Sequence, residues 1–474
     1  MKLSSLIRDL YTVEILNFRD IDVNLVTNNS KRCIRNSLFV AIRGSTFNGE
    51  DFFKEAYELG ARVFVCENVS ELKPDGVIII VKNARKALAE LCSAFFRNPQ
   101  NQMLTTAITG TKGKTSTSYL VSHILNSNNI KNILIGTLGV VGSDKKSFVN
   151  TTPDPTVLYP IMRRGIRGGI NNLLLEVSSQ ALKEERVFGI PIDCAAFTGI
   201  SRDHIGVHEH PSFSDYLNSK HSLFTSYGAK MAVMNFDDAY SSYISAGIPR
   251  VIKCGFSKGS DYRISDFENS ENGSKFRVNN QKIKTSLSGE YNAGNIAMAL
   301  AIAEEMYGCP IKEAKGALEN VVIPGRYEKR RICGRNVIID YAHNGDSFDK
   351  VMSLSKKIYD GRLISVFGSV GERSFDRRRE LASVAEKYSD LSVITSDNPG
   401  NESASSICSE ICSYFKNTDK TKIITDRAEA IRYAFDSSKK GDTILILGKG
   451  RESDMKINGE VVRYSDFDVV SQLT

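Results

Sequence analysis

Eight residues restrict the fold of this chain more than any others: Thr109-Gly110-Thr111-Lys112-Gly113-Lys114-Thr115-Ser116. They join a strand pattern, Leu104–Thr109, to a helical pattern from Lys114 to about Asn126. A strand that ends in a glycine-rich turn and opens directly into a helix belongs to a parallel α/β sheet. The glycines let backbone N–H groups converge, the helix N-terminus adds positive potential, and Lys114 reaches toward the same point. That combination holds nucleotide phosphates, with the Thr115 hydroxyl placed for Mg²⁺. The strict pattern asks for glycine five residues before Gly113, where Ile108 stands. A tight turn without a ligand is the competing reading.

The strand–helix rhythm runs through most of the 474 residues. Strands are expected at 38–42, 62–66 and 76–81, with helices at about 51–60 and 84–96. Polar residues 97–101 form a linker. After the phosphate loop come strands at 133–135, 172–177, 195–198 and 231–234, the last preceded by a helix at about 213–226. Residues 262–288 alternate in short polar strands, as hairpins do, and 291–307 form an Ala-rich helix. After Pro324 the rhythm restarts, with strands at 337–340, 363–367, 391–395, 422–425 and 443–447. Three α/β domains are expected: residues 1–100, 101–324 and 325–474.

Composition narrows the function. Apolar runs such as Gly76–Val81 and Thr443–Leu447 fall far short of the roughly 20 residues of a membrane span, so no membrane insertion is expected. Arg8 and Asp9 come too early for a secretory signal core. Nine scattered cysteines with no C-x-x-C pair suit reduced thiols in a cytoplasmic enzyme. A net charge of +7 on so long a chain gives no argument for a nucleic-acid partner.

Other residues carry chemistry. Glu176 ends the apolar strand 172–177, where ligands of parallel sheets gather, and can hold Mg²⁺ beside the phosphate loop. A strand-end charge facing water is the alternative. His204 follows strand 195–198 in the same way. A zinc site from His204, His208 and His210 fits no zinc spacing, and surface or capping roles suit His208 and His210 better. Lys220 lies on a helical face with Tyr216, Leu217, Leu223 and Phe224; pattern alone favours a snorkelling side chain.

Taken together, these strings resemble the Mur ligases, the ATP-dependent amino-acid ligases of peptidoglycan synthesis, and in particular the branch that adds the third stem residue. The similarity covers nearly the whole chain. Residues 109–115 resemble the family phosphate loop, TGTNGKT, with Lys112 in place of Asn. The resemblance implies three α/β domains: a small N-terminal uridine-binding domain, a central parallel-sheet phosphate-loop ATPase domain and a C-terminal Rossmann-like domain. ATP and Mg²⁺ are the implied cofactors, with Gly110, Thr111, Lys112, Gly113, Lys114, Thr115, Ser116, Asn295, Asp340 and His343 at the nucleotide. Asn150, Thr151, Thr152, Ser178 and Arg186 match substrate-binding stretches, as do Ser30, Ser45 and Thr46 in the uridine-binding domain. Lys220 matches a lysine that is carbamylated to N6-carboxylysine and helps hold a second Mg²⁺ with His204. Lys114, Glu176, His204 and Lys220 are thus the implied catalytic set, and Thr115, Glu176, His204 and Lys220 the metal ligands.

The implied substrates are UDP-N-acetylmuramoyl-L-Ala-D-Glu and an amino acid. Arg373, Asp397, Asn398, Gly400, Glu402, Gly448 and Glu452 match or adjoin the positions around the latter. Diaminopimelate-adding members read Asp-Asn-Pro-Arg where this chain has Asp397-Asn398-Pro399-Gly400. An arginine there pairs with the acceptor's second carboxylate; glycine does not, and Asp397 and Glu402 could attract an ammonium. L-lysine is therefore the expected acceptor, with ornithine or meso-diaminopimelate as alternatives. A monomer is expected. A folylpolyglutamate synthase relative and a phosphate-loop ATPase without ligase activity are the rival readings.

Overall fold

The computed structural model describes residues 1–44, 47–68, 75–141, 148, 150–203, 205–206, 209–372 and 375–473. They form two compact units: Met1–Ile264 with Gly294–Ala314, and Ser265–Ala293 with Lys315–Thr474.

The first unit holds two sheets. The smaller has the order Glu14–Leu16, Val77–Ile80, Ala61–Cys66, Ser37–Val40, Leu25–Thr27, parallel except at the first pair. The larger runs Val251–Gly255, Met231–Asn235, Cys194–Phe197, Leu104–Thr109, Asn172–Glu176, Ile133–Gly136, Gly139–Val141, antiparallel only at the last pair. Its central strands are almost wholly buried, as a parallel sheet covered by helices requires. One continuous core joins the two sheets: Leu88 and Leu91 of helix Ala84–Phe95 belong to the same cluster as Leu158 and Met162 of helix Pro155–Arg167. Arg85 and Lys86 add ion pairs to Glu184 and Glu185. The first 100 residues therefore do not separate from the central sheet as a compact unit.

In the second unit, Gly273–Val278 and Gln281–Thr285 form an antiparallel hairpin, as the alternating pattern implied. The main sheet has the order Glu328–Ile332, Arg335–Asp340, Thr443–Leu447, Leu363–Phe367, Leu391–Ile394, Thr421–Ile423. A hairpin missing from the sequence reading, Asp454–Ile457 with Glu460–Arg463, follows it. The segment at 51–60 is not one helix: a 3₁₀ turn, Gly49–Phe52, leads into a short α-helix, Phe53–Glu58.

Beyond the carboxyl ends of the second unit's strands lies a buried ion pair. Arg427 donates to both oxygens of Asp466 at 2.8 and 2.9 Å and to the Leu447 and Ser396 carbonyls. Both side chains are wholly inaccessible. Removing one partner strands a buried charge, so Arg427→Leu or Asp466→Ala is expected to destabilise this unit by about 3–5 kcal/mol. Urea unfolding checks this.

Candidate active site

The phosphate loop takes the conformation its glycines permit. Gly110 and Gly113 have φ of +149° and +87°, and a Cβ at Gly113 would lie 2.7 Å from Asn295 Oδ1. Helix Lys114–Ser127 starts immediately after. Lys114 donates to the Gly110 and Thr111 carbonyls at 2.8 and 3.1 Å, turning back over its own loop. Asn295 accepts from Thr117 Oγ1, and Ser116 is buried in the first turn of the helix.

Glu176 is the anchor of the site. It is 0% exposed, which eliminates the water-facing reading. Its Oε2 accepts from Thr115 Oγ1 at 2.8 Å and Thr137 Oγ1 at 3.0 Å. Its Oε1 accepts from the Thr137 N–H at 3.2 Å and Ser118 Oγ at 3.4 Å. A buried carboxylate against the phosphate-loop threonine is an all-oxygen donor set, which is what Mg²⁺ takes. Thr137 and Ser118 were missed from sequence because no motif marks them. The strand end is sealed by Thr152, which donates to the Glu176 carbonyl and accepts from the Ser178 N–H. Thr151 Oγ1 is 3.1 Å from Thr137 Oγ1, and Asn150 is exposed.

Lys220 lies on helix Phe213–Thr225 and is 1% exposed, so the snorkelling expected from pattern alone does not occur. Its Nζ donates to the Gly110 carbonyl at 3.0 Å and sits 4.5 Å from the centre of the Tyr216 ring. Burial pushes its pKa well below the ordinary lysine value and neighbouring Lys114 lowers it further, against an opposing pull from Asp203. Lys112, the departure from the family loop, pairs with Asp203 at 3.3 Å. His210 is 1% exposed rather than on the surface, with Nδ1 2.6 Å from Asp215. Burial lowers its pKa, against Asp215. His204, His208, Ser45, Thr46 and Arg373 lie outside the described residues. Among those described, no cluster of three or more His, Cys, Asp or Glu could hold a metal.

A cleft of about 950 Å³ lies in the same unit, lined by Asn29, Ser30, Arg43, Phe47, Asp154 and Arg186 among others. Ser30 donates to Glu55. Arg186 donates to the Thr152 carbonyl at 2.9 Å and is held by Glu184. Ser178 caps the helix Ser179–Lys183.

The second unit has its own cleft, lined by His343, Arg377, Asp397, Asn398, Gly448 and Glu452. Lys449, overlooked in the sequence, is 0% exposed between two glycines. It donates to Glu452 at 2.8 Å and Asn398 at 3.3 Å and lies 3.9 Å from Asp397. Burial raises the Asp397 pKa, with Lys449 and then Arg427 opposing. Glu402 is paired with Arg378 at 2.7 Å. Each of the two acids expected to attract an ammonium thus already faces a cation. Asp340 accepts from the Tyr327 and Ala342 N–H groups, so it braces the chain entering the cleft.

A phosphate loop, a buried carboxylate on its threonine and a buried amine on its carbonyl define a nucleotide-dependent phosphoryl-transfer enzyme of the parallel α/β class. Comparison with known proteins narrows this. Residues 22–96 match the Mur ligase family, catalytic domain; 108–303 the Mur ligase middle domain; and 325–450 the Mur ligase, glutamate ligase domain. A UDP-N-acetylmuramoyl-L-alanyl-D-glutamate–2,6-diaminopimelate ligase of Aquifex aeolicus is 36% identical, over 94% of this chain and 93% of its own. One of Clostridium perfringens is 32% identical, over 99% of both. A solved structure of such a ligase superposes with TM-score 0.68 at 25% identity, over 100% of this chain and 99% of that one. The chain belongs to the Mur ligase family and has its three-domain α/β architecture. It is a ligase that uses ATP and Mg²⁺. No described helix is long and apolar enough to cross a membrane.

The packing around Glu176 makes one test sharp. A Cβ on Gly136 would collide with the Glu176 carboxylate. Gly136→Ala is expected to lower kcat at least a hundredfold and, because it displaces a buried hydrogen-bonded carboxylate, to lower the melting temperature as well, read by ADP release and thermal unfolding.

Proposed function

We propose that this chain adds the third amino acid to UDP-N-acetylmuramoyl-L-Ala-D-Glu, with ATP cleaved to ADP and phosphate. The observation that carries the reading is Lys220, a wholly buried amine seated on the phosphate-loop carbonyl, where burial lowers its pKa and so favours loss of its proton. A neutral amine takes up CO₂ where an ammonium cannot, and the carbamate presents hard oxygens. Domain boundaries near residues 100 and 325 complete the reading.

The D-Glu carboxylate attacks the γ-phosphate to give an acyl phosphate, from which the acceptor amine displaces phosphate. Mg²⁺ supplies charge neutralisation for the transferring phosphoryl group. Thr115 and Glu176 would hold one ion; His204 and carbamylated Lys220 would hold a second. Lys114 would swing from the Gly110 and Thr111 carbonyls to the phosphate oxygens. Gly110–Ser116 would present backbone N–H groups, with Asn295 near the base and Asp340 and His343 contributing from the last domain. Ser30, Ser45, Thr46, Asn150, Thr151, Thr152, Ser178 and Arg186 would bind the nucleotide-sugar dipeptide. Arg373, Asp397, Asn398, Gly400, Glu402, Gly448 and Glu452 would surround the acceptor.

ADP release requiring both the UDP-dipeptide and an amino acid tests the ligase reading; release with ATP alone would overturn it. Lys220→Ala is expected to reduce turnover at least a thousandfold, with bicarbonate unable to restore it. Near-normal turnover would remove the carbamate.

The acceptor we assign is L-lysine or a similar diamine without a second carboxylate, supported by Gly400. The names of the relatives favour a second reading, meso-diaminopimelate. An amino-acid panel decides: L-lysine is expected to give the larger kcat/KM, and a larger value for diaminopimelate would establish the second reading.

A further inference from the structure

Asp397 and Glu402 each face a buried cation shared with a second acid, Lys449 with Glu452 and Arg378 with Glu410, so both are tied into the wall and an acceptor's far ammonium would be met by an acid outside these pairs. The loop after strand Leu363–Phe367 supplies one. Gly368, Ser369 and Val370 line the second unit's cleft. The Gly371 N–H donates to the Asn398 carbonyl at 3.1 Å, binding this loop to the Asp397–Gly400 turn. The next residue, Glu372, takes φ of +58°. That conformation is uncommon for a residue with a side chain and turns it out of the loop's path. A Cβ built on Gly400 would lie 2.9 Å from Glu372 Oε2. The other oxygen, Oε1, accepts from Asn401 Nδ2 at 2.8 Å.

An arginine at position 400 would leave the backbone directly toward this carboxylate and neutralise it. Glycine leaves the carboxylate oxygen facing the space that such a side chain would fill. We propose that Glu372 receives the distal ammonium of the acceptor and, with Gly400, determines the choice of a diamine over a diamino dicarboxylic acid. The proposal rests on the acceptor reading above. It acts by attraction for an ammonium and by repulsion of a second carboxylate at the same point.

The test measures kcat/KM for L-lysine and meso-diaminopimelate with the full-length wild type, Glu372→Gln, Glu372→Asp and Glu372→Lys. UDP-dipeptide and ATP are saturating, and melting temperature is followed as the fold control. An exposed ion pair predicts that E372Q lowers the lysine-to-diaminopimelate ratio about fivefold, through KM for lysine rather than kcat. E372D keeps most of the preference, and E372K inverts it. A wild type preferring lysine whose ratio changes less than twofold in E372Q and E372K overturns the role of Glu372 and leaves the acceptor reading standing. A wild type preferring diaminopimelate overturns both.

Discussion

The buried carboxylate of Glu176 is the interaction on which the central site depends. A charge removed from water must be hydrogen-bonded or paired, and here four donors converge on it. They come from two segments: the helix that follows the phosphate loop, and the end of the neighbouring strand, Ile133–Gly136. Thr152 then ties a third segment to the Glu176 backbone. One anion thus sets the relative positions of the phosphate loop, the strand end and the stretch 150–152. The same need explains Gly136, since any side chain there would occupy the carboxylate's place. A hard cation between Thr115 and Glu176 would replace a hydrogen bond with a stronger interaction, without demanding a new backbone.

Around this anion the loop gathers positive charge. Lys114 and Lys220 donate to the same Gly110 carbonyl, and Lys112 pairs with Asp203 across from them. Two ammonium groups on one carbonyl in a water-poor site repel each other, and burial followed by the nearby Lys114 charge lowers the pKa of Lys220. Carbamylation would go further, turning a source of repulsion into an anion opposite Lys114. The phosphate loop and Lys220 are therefore coupled electrostatically, although 106 residues separate Lys114 from Lys220.

What was legible in the sequence was local. The phosphate loop, the strand ending at Glu176 and the hairpins after Tyr262 announce themselves through spacing and turn residues within a few positions. The fate of Lys220 was not local. Its helical face read as apolar, and only the phosphate loop packed against it decides whether the amine escapes to water. His210 misled for the same reason: a histidine in a polar run reads as surface until Asp215 and Tyr216 close around it. Lys449 is flanked by glycines and looks like a loop cation, yet it is wholly buried against Glu452. Nor does composition near residue 100 reveal that the first two domains share one continuous core.

Charge accounting in the last domain shows why family and acceptor are separate questions. Overall identity reports the sheet, the phosphate loop and the cores, which every member needs. Acceptor choice depends on a few groups at one cleft. There Arg427 is satisfied by Asp466, Lys449 by Glu452, and Arg378 by Glu402 and Glu410. These pairs fix the walls and consume the charges that the sequence alone would assign to substrate. Position 400 is where the relation between wall and substrate changes: an arginine there would consume the charge of Glu372, and a glycine does not. A single substitution can thus cancel the negative charge presented to the acceptor while leaving every element of the fold in place.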